Sequence, residues 1–312
     1  VILMISNSLR NEYTKIAYYY YKAGMTQEEI AKKMSMSRQK VNRVLKKCLE
    51  DGIVKITIEG YPCEGIEMEV KLESLLGLNR VIIVAAPEKE VLGNASAAYL
   101  EGIIKNNDII GFSGGKALSY IVDRLKPVEA KNLSVTQLVG ILNTDGEYGS
   151  SDYIVRKASD KLHAKPHFIY APMMLNSTLL RDSLLKEEFY TDVFDAMKAC
   201  TIAMVLIGDM NHISSLVETK FISAEELEDL KNKCTVGEVC THFYDIDGNL
   251  ITNTINDRVL SIDIDSYKNI PLRVGIGKGK ESVQSIIGAA KSRLINVLIT
   301  DFETADVLSK TI

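Results

Sequence analysis

Cysteine and histidine are scarce in this chain of 312 residues, with five of the first and four of the second. Cys48, Cys63, Cys200, Cys234 and Cys240 form no C-x-x-C pair. An odd, scattered set supports neither a disulfide framework nor a zinc site, and it fits a reducing cytoplasm. His163 and His167 are four apart, but Pro166 lies between them and stops a helix from presenting both to one metal. We expect no metal and no cofactor. Long apolar runs are also missing, so no stretch can span a bilayer and no membrane partner is expected. Val1–Ile5 is apolar but too short for a signal-peptide core, and no basic region precedes it. With no initiator Met, a trimmed or partial N-terminus is expected. Internal repeats and low-complexity segments are absent as well.

What is present is an uneven distribution of charge. The chain is 46% hydrophobic and 25% charged, an ordinary globular composition with room for a small and a large domain. Its net charge is −4. From Asn11 to Gly60 there are ten Lys/Arg and six Asp/Glu, a balance of +4. The remainder, Arg10 set aside, has 26 basic and 35 acidic residues, a balance of −9. A basic head on an acidic body suits a protein that holds DNA with one module only. We therefore expect a DNA-binding domain over residues 1–60 and a second domain over residues 61–312.

The head has a readable order. Thr26 with Glu29 three residues on has capping-box spacing, so a helix should start there. Ile30, Ala31 and Met34 share one face of it. Ser35-Met36 is a turn, and Ser37 is a good N-cap for a second helix. In that helix Val41, Val44, Leu45 and Cys48 recur at spacings of three and four and should bury. Arg38, Gln39, Lys40, Asn42, Arg43, Lys46 and Lys47 are left outside that face. Arg, Gln and Asn can make bidentate contacts to base edges, while Lys favours phosphates. Gly52 should end the helix, and Ile53–Ile58 alternates as a wing strand would. Asn11–Ala23 completes a three-helix unit. Its run Tyr18-Tyr19-Tyr20-Tyr21 cannot form one stacking platform, because consecutive helix residues point in different directions. This is the pattern of a helix-turn-helix unit with double-stranded DNA as its partner.

In the body, apolar strand-like runs alternate with helical ones. The strand candidates are Val81–Ala85, Asp108–Ser113, Leu133–Val139, Phe168–Ala171, Ile202–Gly208, Arg273–Ile276 and Val297–Thr300. The helical ones include Lys116–Leu125, Ala224–Asn232 and Val283–Lys291. Such alternation predicts an α/β fold with a mostly parallel sheet covered on both faces. Ligands of such sheets bind where strands lead into helices.

Two loops of that kind are candidate anion sites. Ser113-Gly114-Gly115-Lys116 follows a strand and opens a helix, and so does Gly277-Lys278-Gly279-Lys280. Neither loop meets a nucleotide-binding spacing, and the alternatives are a plain turn and a solvated loop. Gln137 at a strand end, Asn143 in a polar loop and Asp152 downstream could bind sugar hydroxyls, or serve turn chemistry alone. Asp245-Ile246-Asp247-Gly248-Asn249 lacks the glutamate that closes a calcium loop. A hairpin turn around Asp247-Gly248 explains it better, with Asp245 still able to face a pocket.

From about Asn11 to the C-terminus the chain resembles the SorC/DeoR-type family of bacterial sugar-responsive transcription regulators. The resemblance is carried in the head by Gln27–Ala31, Ser37-Arg38, Val41–Leu45 and Gly52-Ile53-Val54. In the body it is carried by Ile110–Lys116, Gln137–Gly140, Val236-Gly237-Glu238, Phe243-Tyr244-Asp245, Asn256-Asp257-Arg258 and Asn296–Asp301, in the family's order. The resemblance implies an effector-binding and oligomerisation domain related to sugar-phosphate isomerase and deaminase folds, without their activity. It implies a sugar or sugar-phosphate effector and a homodimer or homotetramer. The effector pocket would use Ser113–Ala117, the Gln137 region, Asp245 and the loop Gly277–Ser282. The chain departs from the family at Gly114, often Trp, at Ala117, often Thr, and at Ser282, where the phosphate-loop Lys falls. Val139 stands where some members carry a Schiff-base lysine, so covalent capture of an aldehyde is not expected. These departures leave the effector's identity and phosphorylation open. An isomerase- or deaminase-like enzyme and an effector-free DNA-binding protein are the alternatives.

Overall fold

A computed structural model describes residues 7–56, 63–85, 88–141 and 149–312. The chain divides into two compact units, Val1–Tyr61 and Pro62–Ile312.

The first unit holds three helices: α1 (Asn7–Tyr21), α2 (Gln27–Lys33) and α3 (Arg38–Glu50). Thr26 starts α2 with a complete capping box. Its hydroxyl accepts from the Glu29 N–H, and the Glu29 carboxylate accepts from the Thr26 N–H. Ser37 caps α3 by accepting from the Lys40 N–H. Gly52, with φ 68°, follows the Asp51 C-cap. Ile16, Ile30, Val41, Val44, Leu45 and Cys48 form the core, the last four from one face of α3. The tyrosine run splits by direction: Tyr19 is partly buried against the core while Tyr18 is 62% exposed. The wing expected over Ile53–Ile58 is described only to Ile56, and that part forms no strand. The Val54 N–H bonds to the Cys48 carbonyl, and Ile53 and Val54 pack on the helices at the entry to the wing.

The second unit is built on a seven-stranded sheet in the order β1-β10-β9-β5-β2-β3-β4, parallel throughout. Its strands are β1 (Arg80–Val84), β2 (Ile109–Phe112), β3 (Ser134–Gln137), β4 (Lys165–His167), β5 (Ile202–Leu206), β9 (Leu272–Ile276) and β10 (Val297–Asp301). A small antiparallel sheet, β6 (Gly208–Asp209), β7 (Thr235–Val239) and β8 (His242–Asp245), follows directly on β5. Successive strand residues face opposite sides of the main sheet. Ile202 and Met204 thus join one core cluster with Ile110, Phe112, Leu118 and Ile154. Ala203 and Val205 join the other, with Leu72, Ile286 and Leu308.

One strand expectation is corrected. Phe168–Ala171 is irregular; the edge strand lies just before it, where Lys165–His167 pairs with Ser134–Thr136. The hairpin turn expected around Asp247-Gly248 is present: the Gly248 N–H returns to the Asp245 carbonyl and Leu250 pairs antiparallel with Tyr244, one turn after the β7–β8 reversal at Cys240-Thr241.

The chain runs from β2 outward through β3 to β4, then returns to place β5 on the other side of β2. Connections leave β2 and β5 in opposite directions, so their C-terminal ends form the topological switch point where such sheets open a crevice.

Candidate functional sites

The first site is the outer face of α3. Arg38, Gln39, Lys40, Asn42, Arg43, Lys46 and Lys47 are all exposed. Their apolar neighbours Val41, Val44, Leu45 and Cys48 are buried and fix the helix against α1 and α2. None of the five cations has an acidic partner within ion-pair distance among the described residues. Uncompensated cations and amide groups along one rigid face are what a phosphate backbone and a row of base edges require. Ser37 is engaged in holding the helix start.

The second site is a cavity of about 560 Å³ at the switch point of the body. The β2 end contributes Ser113, Gly114, Gly115 and Lys116. The β5 end contributes Leu206, Ile207, Gly208 and Asp209, followed by His212, Ser215 and Leu216 from the helix Met210–Glu218 and by its C-cap Thr219. The β7–β8 hairpin adds Glu238, Cys240, Thr241 and Phe243, and Val139, Met173, Phe221 and Ser282 complete the lining.

Short local causes set this geometry. Gly115 caps the helix Lys116–Arg124 with φ 124°, and its N–H donates to the Gly149 carbonyl. A Cβ at Gly115 would collide with the Leu206 side chain. At Gly208 a Cβ would lie 2.6 Å from the Glu238 carboxylate and 2.7 Å from the His212 ring, so glycine lets that pair close over the strand. Asp209 caps the following helix by accepting from the His212 N–H at 2.8 Å. His212 Nε2 lies 3.5 Å from Glu238 Oε1, and this contact raises the imidazole pKa against the opposing effect of burial. Glu238 Oε2 accepts from the Thr241 N–H at 2.7 Å. Cys240 and Thr241 both sit in the left-handed region, at φ 50° and 68°, which is costly for a β-branched residue. The Glu238 bond and a Thr241–Ser261 hydroxyl contact at 3.0 Å hold them there. Burial pushes the Cys240 thiol well above its ordinary pKa, so it acts as an apolar wall.

The residues singled out from the sequence fall into three groups. Ser113, Gly114, Gly115 and Lys116 are together on the cavity wall. Lys278 meets Lys116 at a separate small cavity of about 60 Å³. The rest lie elsewhere. Gln137 is buried and fully engaged: its carbonyl accepts from the Ile169 N–H, and its amino group donates to Ser151 Oγ and the Val139 carbonyl. Asp245 accepts from Asn249 and Asp247 and anchors the turn after β8. Asp152 lies in the first turn of the helix Ser151–Leu162, outside the lining. Lys280 is paired with Glu303 at 2.6 Å on the surface. Gly277 and Gly279 direct their N–H groups to the Ile299 carbonyl and to Thr304 Oγ1. The second loop is therefore a braced turn rather than an open anion nest. Asn143 lies outside the described residues. Val139 lines the cavity with an apolar side chain.

Asp209, His212 and Thr241 were missed in the sequence. One signal was available: the run Ile202–Gly208 ends at a loop into a helix, as Ser113–Lys116 and Gly277–Lys280 do. Glu238 and Phe243 entered only as parts of the family pattern. Among the described residues no helix is long and apolar enough to cross a membrane, and no three metal-ligating side chains cluster.

Residues 62–309 match the sugar-binding domain family, and residues 16–55 match the winged helix-turn-helix DNA-binding family. The chain is 30% identical to the sorbitol operon regulator of Klebsiella pneumoniae, over 95% of this chain and 96% of that protein. It is 26% identical to the deoxyribonucleoside regulator of Bacillus subtilis, over 94% and 95% respectively. The crystal structure of the full-length Klebsiella regulator superposes with a TM-score of 0.74 at 26% identity, covering 96% of this chain and 98% of that one.

Proposed function

The chain belongs to the SorC/DeoR-type family of sugar-responsive transcription regulators, and from that premise we propose how its two sites divide the work. It regulates a carbohydrate-utilisation operon and answers to a sugar or sugar phosphate held in the body. Arg38, Gln39 and Asn42 read operator bases from α3, and Lys40, Arg43, Lys46 and Lys47 hold the phosphates. The effector lies in the cavity at the ends of β2 and β5, against Ser113–Lys116 on one side and Asp209, His212, Glu238 and Thr241 on the other. The observation that carries this reading is the 560 Å³ cavity at the switch point, within the range of small-molecule sites. Lys116 replaces the Gly277–Lys280 loop as the main positive group, because Lys280 is paired with Glu303.

The protein works as a homodimer or homotetramer in the cytoplasm. One small helix-turn-helix reads too few base pairs for useful specificity, and a symmetric pair doubles the site. Tyr170, Leu179 and Phe189 leave large apolar side chains in solvent on the body, as self-association surfaces do. No catalytic role is assigned: His212 and Glu238 face each other, and Glu238 is held by the turn it supports.

The test is a melting-temperature screen of the full chain against sugars, polyols and their phosphates, followed by operator titration. A true effector stabilises by about RT ln(1 + [L]/Kd) and should change operator affinity by about 1–3 kcal/mol. Lys116→Ala should weaken an anionic effector about tenfold, equal to about 1.4 kcal/mol, while Lys280→Ala should change it little. A screen in which no carbohydrate moves the melting of the body would overturn the effector reading.

A further inference from the structure

The loop Gly277–Lys280 is a braced turn, and its braces lead to a helix. Gly279, at φ 90°, offers its N–H to two acceptors, Thr304 Oγ1 at 2.7 Å and Asp301 Oδ2 at 3.3 Å. Both residues are buried at the start of the helix Phe302–Thr311, which Asp301 caps by accepting from the Thr304 N–H. Lys280 adds the ion pair to Glu303 in the first turn of the same helix. On its other side the loop closes on Ser282, which lines the cavity. The Ser282 N–H donates to the Gly279 carbonyl and the Ser282 hydroxyl to the Lys278 carbonyl. A ligand that moves Ser282 therefore moves the turn, and the turn is fastened to the start of a helix.

The far end of that helix meets α4 (Cys63–Leu76), which follows the head unit along the chain. Ser309 lies in the last turn, where carbonyls lack a partner inside the helix, and its carbonyl accepts from the Lys71 ammonium at 3.1 Å. Ala305 and Leu308 share a core cluster with Leu72 of α4, all three fully buried. The other side of α4 is seated on β1, an edge strand. There the Val81 and Ile83 N–H groups donate to the Glu73 and Glu69 carboxylates at 3.0 and 2.8 Å. An edge that would otherwise present open donors thus holds α4 in one register.

Resting on the two-site reading above, we propose that the helix Phe302–Thr311 relays the state of the cavity to α4. Its ten residues rise about 1.5 Å each, so a shift at Gly279 is carried about 15 Å by one rigid element. The two acceptors of the Gly279 N–H give the turn a choice of bonds, so a small shift exchanges one for the other instead of stretching a single one. Lys71, Glu69 and Glu73 then fix where α4 follows.

The experiment is hydrogen exchange on the full chain, free and bound to a duplex that the full chain has selected from a random-sequence library. Coupling is reciprocal, so DNA on α3 must alter the cavity end of the relay as a cavity ligand alters α3. Exchange over residues 276–283 should change several-fold on duplex binding in the parent. Thr304→Val keeps the shape and removes the nearer acceptor of Gly279. Lys71→Met keeps the apolar stem of an exposed side chain and removes the bond to Ser309, so it remains decisive should Thr304→Val fold poorly. In both variants the duplex should still slow exchange in α3, while the response over residues 276–283 is lost. A response that is absent in the parent, or equal in the parent and Lys71→Met, overturns the relay and leaves the two-site reading standing. No slowing of α3 in the parent overturns the DNA reading and the relay together.

Discussion

The face of α3 and the cavity of the body solve recognition in opposite ways. On α3 the polar groups point outward, lack ion-pair partners among the described residues and are fixed by a buried stripe directly beneath them. In the cavity the polar groups hold one another, and apolar side chains form much of the surface that a ligand meets. The first arrangement suits a partner that is itself a highly charged polymer, where attraction to phosphates supplies most of the affinity. The second suits a small ligand that must be told apart from close relatives, where a few directed groups and a shaped wall decide. The contrast also separates what damage does: loss on α3 removes contacts, whereas loss around the cavity removes shape.

The largest expected effect breaks the comparison at its base. Leu45 is 4% exposed in the head core, and truncating a buried leucine to alanine costs about 2–5 kcal/mol. A unit of this size has little stability to lose. Leu45→Ala should therefore abolish operator binding while the body keeps its own melting transition and its sugar-induced shift. Calorimetry that shows both losses together would mean the two sites are not energetically separable.

Next in size come the side chains of α3 themselves. Arg38→Ala and Asn42→Ala should each cost about 1–3 kcal/mol of operator affinity and relax one base position. Lys47→Ala should weaken all sequences alike and reduce the salt slope by about 1. Melting temperatures should hardly move, because all three side chains are exposed. Unchanged affinity and specificity in both Arg38→Ala and Asn42→Ala would remove α3 from the role of reader.

The same contrast explains what could be read from the residues alone. The head is local: Thr26, Glu29, Ser37 and the stripe Val41–Cys48 lie within one stretch, and capping and periodicity are properties of such stretches. The parallel sheet was legible for the same reason, since each buried strand announces itself as an apolar run. The cavity is assembled from Ser113, Asp209, Glu238 and Ser282, which are separated by 96, 29 and 44 positions. No periodicity links them, and the strand order that joins β2 to β5 is not encoded in either strand. Gln137 and Asp245 misled because a polar residue at a strand end can serve a ligand or the backbone, and its hydrogen-bond partners decide which. For Gln137 the partner is the Ile169 N–H, and for Asp245 it is the turn to Asn249.

The smallest effect is also the one that tests whether the polar groups of the cavity really hold one another. The contact with Glu238 raises the His212 pKa above its ordinary value near 6.5. A group whose folded pKa is raised contributes stability below its unfolded pKa and loses it as pH rises through the folded value. The His212–Glu238 pair should therefore help most on the acidic side of pH 6.5 and fade above it. His242 opposes this trend. Its burial lowers the imidazole pKa, so acidification below its unfolded pKa works against the fold there. The raw pH profile mixes the two, and only a difference isolates His212. We expect the melting temperature of the parent minus that of His212→Gln to be positive near pH 6 and to shrink as pH rises through the folded pKa. The stability behind that difference should stay below about 1 kcal/mol, because the His212 side chain is 45% exposed and water screens the pair. A difference that is flat across this range, or that grows with pH, would mean that His212 and Glu238 do not hold each other in solution. Both would then be free for a ligand, and the cavity would resemble the open face of α3 more than its opposite.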